Sequence, residues 1–383
     1  MTDHLDDPGG MLIVHIADIT MFYAPASGGV RTYLDAKHRR LDAMPGIHHS
    51  LLVPGPSASD ANGVYKVPAP ALPFSNGYRF PVRLAPWCNV LRRLQPDLIE
   101  VGDPYLTAWA ALEARRKLDV PVIGFYHSDL PLLVSNRMGN WFTPNVEAYV
   151  SKLYGNFDRV LAPSQVMADK LTRLGVKEVH VQRLGVDLVT FNPEQRDTQL
   201  RSRLGIPDTA RLLVFAGRGS REKNLPVLLE CMRQLGRPYH LLLVGSSMPT
   251  AVPDNVTVIN RFCPAAEVAS IFASADLLVH AGDQETFGLV ILEAMASGTP
   301  VVAVRAGAFG ELVNEQCGRL CRPNDGKAMA ESVREVFEAG ARKLGVQARR
   351  HVEQQYSWDN VVNGLLQHYQ AVLGHQPEVL AHA

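Results

Sequence analysis

Strand-length apolar runs alternate with stretches of helical apolar spacing along almost the whole chain. That alternation is the pattern of parallel α/β sheets, in which each strand hands over to a helix that returns to start the next. In the first half, MLIVHIA (11–17), HSLLVPG (49–55), DLIEVG (97–102), VPVIGFYH (120–127), RVLAPS (159–164) and HVQRLGVD (180–187) predict strands. In the second half, RLLVFAG (211–217), YHLLLVG (239–245), VTVINR (256–261), DLLVHAG (276–282), PVVAVRAG (300–307) and GRLCR (318–322) do the same. Between the sets lies LVTFNPEQRDTQLRSRLGIPDTA (188–210), which is polar and has no strand pattern. It reads as an interdomain linker holding a short helix. Near the end, YSWDNVVNGLLQHYQAVL (356–373) carries apolar residues at helical spacing. The expected organisation is therefore α/β, with two Rossmann-like domains facing across a cleft: 11–190 on the acceptor side and 210–355 binding the ligand. A final helix over 356–375 is expected to pack back towards the first domain.

Composition narrows the class. The chain has 383 residues, 46% apolar and 20% charged, enough for two domains with their own cores. Its formal net charge is zero, so no global field calls for nucleic acid. No apolar run approaches a membrane span. The opening MTDHLDDPGG is acidic and polar, unlike a secretory signal, and is expected to be a disordered lead. The five cysteines, Cys88, Cys231, Cys263, Cys317 and Cys321, are odd in number and scattered, as in a reduced cytoplasmic protein. Cys317 and Cys321 have no second pair or nearby histidine, so no metal is predicted.

The densest chemistry lies in DQETFGLVILEAMASGTP. LLVH (277–280) is a strand, AGDQETFG a loop and LVILEAMAS a helix ended by Gly298 and Pro300. Glu285 falls in the loop at the strand's carboxyl end, where open α/β sheets bind ligands. Glu293 falls on the first turns of the helix. The free N–H groups of Phe287, Gly288 and Leu289 would open that helix and face an anion. An anion seat between two carboxylates suits a ligand with both phosphate and hydroxyl groups, as a nucleotide sugar has. The bland alternative is one solvated loop carboxylate and one on a helix face.

Three other strand ends add candidates. The loop after the first strand carries Gly28 and Gly29 before a helix; glycines let backbone approach a diphosphate, although a tight empty turn looks the same. The first strand of the second half ends in AGRGSREKN, which places Arg218, Arg221 and Lys223 before a helix expected to start near an Asn224 cap. Cations beside a helix N-terminus can hold a pyrophosphate. The glycines there lack the G-x-G-x-x-G spacing, which disfavours NAD. His127 ends the strand VPVIGFYH and could hydrogen-bond a sugar hydroxyl or simply fill a boundary position. There is no G-x-S-x-G, H-E-x-x-H or G-x-x-x-x-G-K-[ST], and no D-x-D where a metal–sugar site would put it.

Taken together, these pieces resemble the family-4 retaining glycosyltransferases of GT-B architecture. The resemblance runs through SGGVRTYL, YHSD, VLAPSQVMADKLTRLGV, RLGVDLVTFNP, AGR, REKN, ETFGLVILEAMASGTPVVA and YSWD in that order, and covers nearly the whole chain. FYAPASGGVRTYLDAK and SLLVPG look most like the bacterial mannosyltransferase and glycolipid-glycosyltransferase branch. The resemblance implies roles. Gly29, with Gly28, would contact the donor diphosphate; Arg218 and Lys223 would hold it. Glu293 would take the ribose hydroxyls and Glu285 the donor sugar, touched also by the Phe287–Leu289 backbone. His127 would lie near the donor sugar and the acceptor hydroxyl. By position alone, the base would rest near Asn260–Cys263, around Phe262. The segment GSR before Glu222 departs from the usual family residues, so Arg221 either adds charge to the phosphate site or is merely exposed.

The implied reaction transfers a hexose of mannose or glucose type from a UDP- or GDP-sugar, with no cofactor and no divalent metal. No carboxylate is an obvious covalent nucleophile, so front-face attack is expected, the departing phosphate taking the acceptor proton. FSNGYRFPVRLAPWCNVLRRLQPD (74–97) mixes arginines with Tyr78, Phe80 and Trp87, and Arg31, Lys37, Arg39 and Arg40 lie on the first helix. A basic, partly apolar face there would suit an anionic membrane and a lipid or glycolipid acceptor at the inner face of the cytoplasmic membrane. The alternatives are an ordinary solvated helix with Trp87 in the core, a soluble or polysaccharide acceptor, a nucleotide-sugar epimerase, or a non-catalytic sugar-nucleotide binder.

Overall fold

A computed structural model describes residues 14–24, 28–72 and 77–374. The opening decapeptide, residues 11–13 of the first predicted strand and Phe74–Asn76 lie outside the described residues. The chain divides into two compact units, Met1–Gln182 with Val362–Ala383, and Arg183–Val361.

The first unit is built on an eight-stranded sheet: β1 (Val14–Ile19), β2 (Ile47–Gly55), β3 (Ser59–Ala61), β4 (Val64–Pro68), β5 (Leu98–Val101), β6 (Val122–Phe125), β7 (Arg159–Ala162) and β8 (Val179–Val181). The order is β3-β4-β2-β1-β5-β6-β7-β8, parallel throughout except for the β3–β4 hairpin at the edge. β1, β5 and β6 read as unbroken apolar runs because helices cover both faces of a parallel sheet; Ile16, Ile99, Val122 and Phe125 are fully buried. The hairpin went unpredicted because β3 is exposed and polar, so it has no buried face to impose a pattern. The eighth strand is shorter than HVQRLGVD promised, since Gln182 onward leaves the sheet.

The second unit is a six-stranded, all-parallel sheet: β9 (Arg211–Ala216), β10 (Tyr239–Val244), β11 (Val256–Ile259), β12 (Leu277–His280), β13 (Val301–Val304) and β14 (Gly318–Cys321). Its order, β11-β10-β9-β12-β13-β14, is the doubly wound one, and it reverses direction between β9 and β12. Loops leaving the carboxyl ends of those two strands diverge to opposite faces and open a crevice for ligand. The 188–210 stretch is no bare tether but part of this unit. The Asp197 amide donates to Ser274 Oγ (2.8 Å), and Arg201 pairs with Asp276 (2.8 Å). Only the short helix expected within it, Leu200–Arg203, is as anticipated in kind. The last helix, Trp358–Leu373, begins in the second unit and ends in the first.

Lys37 is not part of any basic surface. It is fully buried, with Nζ 2.8 Å from Asp18 Oδ2 and 2.7 Å from Glu100 Oε1. Its helix, Gly29–Asp42, turns Tyr33, Leu34 and Leu41 inward on the same face, and the helical repeat carries position 37 with them. Trp87 is likewise core, 1% exposed.

Candidate active site

β9 ends at Ala216, and the chain then runs through Arg218 into a 3-10 turn, Arg221–Lys223. The helix that follows, Leu225–Leu235, is not capped by Asn224 as expected. That residue is left-handed (φ 52°), and its amide donates instead to Asn324 Oδ1. A cap residue normally takes extended backbone, which this left-handed conformation does not provide. Arg218 and Arg221 are exposed, and neither has a carboxylate partner among the described residues.

β12 supplies the opposite wall. After His280, the loop carries Glu285, whose Oε1 accepts from Lys223 Nζ; the two side chains remain 19% and 20% exposed. The two strand ends flanking the switch point are thus joined by one ion pair. Burial pushes the Glu285 carboxyl up, but the Lys223 ammonium and the His280 ring outweigh it and hold the group below its ordinary value. It is therefore ionised at neutral pH. The backbone of Glu285 is pinned as well: Ala308 N–H donates to its carbonyl (3.0 Å), and a Cβ on Gly307 would come within 2.5 Å of that oxygen.

The helix Leu289–Ala296 opens at Gly288, whose φ of 90° favours glycine and whose Cβ position would strike the Phe309 ring at 2.6 Å. The side chain of Phe287 is core, 4% exposed and edge-on to Tyr356; only its backbone is available to a ligand. Glu293 is partly buried on this helix, and no described residue hydrogen-bonds its carboxyl. Burial alone raises it to about 7. Phe262 is 71% exposed just past β11, beside the Arg261–Glu267 ion pair.

The remaining predicted residues belong to the first unit. Gly28 and Gly29 open the helix Gly29–Asp42; both are exposed, and a Cβ on Gly28 would meet nothing. Local packing therefore does not require that glycine. His127 follows β6, buried and stacked flat on Phe125 (centroids 4.1 Å apart, 7° between planes). Burial, helped by the charge of Lys37, lowers it to about 3, so its imidazole is neutral at physiological pH. It can exchange hydrogen bonds with a hydroxyl but cannot bring a positive charge. Arg218, Lys223, Glu285, Glu293 and the Phe287–Leu289 backbone thus share one sheet's switch point, whereas His127, Gly28 and Gly29 sit at strand ends of the other. One residue in the second unit was missed: His280, the buried last residue of β12. A histidine closing an apolar strand was the available signal, the same that singled out His127.

Among the described residues, no group of three or more His, Cys, Asp or Glu side chains is placed to hold a metal ion. All five cysteines are free and buried. No described helix is long and apolar enough to cross a membrane.

Known proteins similar to this chain share its fold. Residues 27–190 match the model of Glycosyltransferase Family 4, and residues 210–339 that of Glycosyl transferases group 1. A GDP-mannose-dependent alpha-mannosyltransferase of Mycolicibacterium smegmatis is 31% identical over 328 residues, 84% of this chain and 86% of that protein. A GDP-mannose-dependent alpha-(1-6)-phosphatidylinositol dimannoside mannosyltransferase of Mycobacterium tuberculosis is 30% identical over 375 residues, 92% of this chain and 95% of that one. Among solved structures, sucrose-phosphate synthase from Thermosynechococcus elongatus superposes with a TM-score of 0.78 at 23% identity, covering 94% of this chain and 98% of that one. Anabaena HepE with UDP and glucose gives 0.73 at 18% identity, with 94% and 100% covered. The chain belongs to the family-4, group 1 glycosyltransferases and has their GT-B fold.

Proposed function

We propose that this glycosyltransferase moves mannose from GDP-mannose to a hydroxyl of a membrane lipid or glycolipid, retaining anomeric configuration and using neither cofactor nor metal. The observation that carries the reading is the Lys223–Glu285 pair at the switch point, about a fifth exposed and near Arg218 and Arg221, which have no carboxylate partner among the described residues. As the bond from C1 to phosphate oxygen breaks, negative charge grows on the leaving diphosphate. Fixed cations placed where charge develops stabilise that state more than the ground state. Lys223 can turn its ammonium donors to phosphate, and Arg218 offers a planar fork to two phosphate oxygens. Glu285, held ionised, accepts from donor-sugar hydroxyls. The Glu293 carboxyl has no hydrogen-bond partner among the described residues and would accept from the ribose. His127, whose basicity burial depresses to about 3, is too weak a base to remove the proton of a hydroxyl and would only orient it. Proton transfer falls to the departing phosphate, in a front-face attack.

The choice of GDP-mannose leans on the named substrates of the two mycobacterial relatives. For the acceptor, the support is the surface of the first unit. Leu133, Met138, Trp141 (86% exposed) and Phe142 stand in solvent around Arg137, and Phe80, Val82 and Leu84 around Arg83. Aromatic and aliphatic tips beside cations suit the headgroup boundary of an anionic bilayer. Such docking would place the enzyme at the cytoplasmic face of the membrane.

The test is to incubate the purified protein with GDP-mannose, UDP-glucose or UDP-galactose, with and without vesicles containing phosphatidylinositol or diacylglycerol. Nucleotide release and lipid products are then followed. Release of GDP that depends on vesicles, with a new mannolipid of α configuration, is expected. Transfer from a UDP-sugar instead would overturn the donor, and a product without vesicles would overturn the acceptor. Free nucleotide with an isomerised sugar would replace transfer with epimerisation.

A further inference from the structure

His280 ends β12 with none of its surface exposed, yet its ring is not simply core. Phe215 and Phe309 hold it from two sides, at centroid distances of 5.4 and 4.9 Å. The Gly282 N–H donates to Nδ1 at 3.1 Å. A backbone N–H can only donate, so Nδ1 must carry the lone pair, and in the neutral ring the proton sits on Nε2. That Nε2–H is buried and has no hydrogen-bond partner among the described residues. Its neighbour is Glu285 Oε1, 3.8 Å away and already bonded to Lys223.

A buried donor left unmade costs stability, and a leucine or phenylalanine in that aromatic slot would carry no such cost. The 3.8 Å gap exceeds a charge-assisted hydrogen bond by about 1 Å. The local backbone is built for the approach. A Cβ on Gly282 would press to 2.8 Å of the His280 ring and 2.9 Å of the Glu222 carbonyl, so the β12 loop lies directly against the turn that carries Lys223. Both candidate donors address Oε1, and Oε2 has no partner among the described residues.

From this geometry we infer that His280 is a positioning residue: its Nε2–H takes over Oε1 of Glu285 when Lys223 turns to the leaving diphosphate, so that Oε2 stays aimed at the donor sugar. The inference rests on the phosphate and sugar roles proposed for Lys223 and Glu285. Without His280, Lys223 would have to hold the carboxylate and neutralise the leaving group at once. With it, the same lysine can shift towards phosphate without releasing Glu285. Burial, partly offset by Glu285 and reinforced by Lys223, keeps the imidazole at about 4, so the neutral tautomer is the working one at physiological pH.

The experiment uses the full-length protein and the donor that the wild type turns over among GDP-mannose, UDP-glucose and UDP-galactose. His280→Leu removes the donor while filling the slot. His280→Gln places an N–H near the Nε2 position; His280→Asn is equally polar but reaches only the Nδ1 position. His280→Leu should keep or raise Tm while lowering kcat at least tenfold, the scale of one hydrogen bond to a charged group, with donor KM within about threefold. His280→Gln should recover most of that loss and His280→Asn should not. In a Glu285→Gln background, His280→Leu should cost less than twofold more, because the group it positions is already altered. Equal rescue by Asn and Gln, a kcat for His280→Leu within twofold of wild type, or full additivity with Glu285→Gln would overturn the inference. A wild type silent with every donor would instead overturn the proposed function on which it rests.

Discussion

Each unit uses a lysine against carboxylates at the ends of its central strands, and the two arrangements differ in what they leave open. In the first, Lys37 is closed off completely. It bonds Asp18 on β1 and Glu100 on β5, and Tyr369 donates to the other oxygen of Glu100 at 2.7 Å. His49 stands 3.4 Å from Asp18 and bonds His38 through facing Nδ1 atoms 2.7 Å apart. Burial raises Asp18, but Lys37 and His49 overcome it and hold that carboxyl far below its usual range; burial prevails at Glu100, which stays raised. In the second unit, among the described residues, Lys223 pairs with one carboxylate, a fifth of each side chain is in solvent, and Arg218 and Arg221 nearby have no carboxylate partner. A lysine sealed with its carboxylates inside the protein serves the fold; one part-exposed at a strand-end crevice is available to a ligand. Sequence position alone does not separate the two, since both follow from Rossmann-like topology.

Substitutions can break that contrast. The largest effect is expected from Lys37→Met, which strands two buried carboxylates without a cation. Removing one partner of a buried pair costs about 3–5 kcal/mol, so the urea midpoint should fall sharply or the protein should fail to accumulate; an unchanged midpoint would show the network to be dispensable. Lys223→Ala should leave Tm within about 2 °C and lower kcat roughly 10²-fold, the scale of one transition-state donor. Wild-type turnover would remove Lys223 from the phosphate site. Glu293→Gln sharpens the comparison through pH. The folded carboxyl titrates at about 7 rather than 4.5, so between those values the native state holds a proton that the unfolded chain has released. Its contribution is intact below the lower value and is lost as pH rises through the upper one. Glu293→Gln should therefore match wild type in Tm at pH 4.5, exceed it by a few degrees at pH 8, and weaken donor binding at both. The smallest effect belongs to Tyr369→Phe, which deletes one neutral donor to Glu100 and should cost about 1 kcal/mol in chemical denaturation with no change in kcat.

Much of this was legible in the chain, and the exceptions have physical causes. Parallel strands covered on both faces announce themselves as apolar runs, and the loops after β9 and β12 carried their charges in plain view. Glu285 and Lys223 could be named as separate candidates; that they bond each other depends on strand order, which a linear pattern does not encode. Lys37 misled because a charged residue on a helix ordinarily marks the solvent side, and only Asp18 and Glu100, distant in sequence, make its burial tolerable. The β3–β4 hairpin was silent because an exposed edge strand needs no apolar face. Asn224 had the right composition for a cap and the wrong backbone, because the preceding 3-10 turn sets its φ before the side chain can choose a partner.

The helix Trp358–Leu373 has a consequence for how the protein is made. Val362, Leu365, Leu366 and Tyr369 are buried, and Tyr369 completes the network around Glu100, although the rest of that unit is encoded before residue 183. A nascent chain emerging from the ribosome therefore holds an unfinished first unit while the whole of the second is synthesised. The second needs nothing that comes later than Val361 to close its own sheet. The unit written first in the gene is the one that folds to completion last, and a message truncated after the second unit would yield one finished domain attached to one that is still waiting.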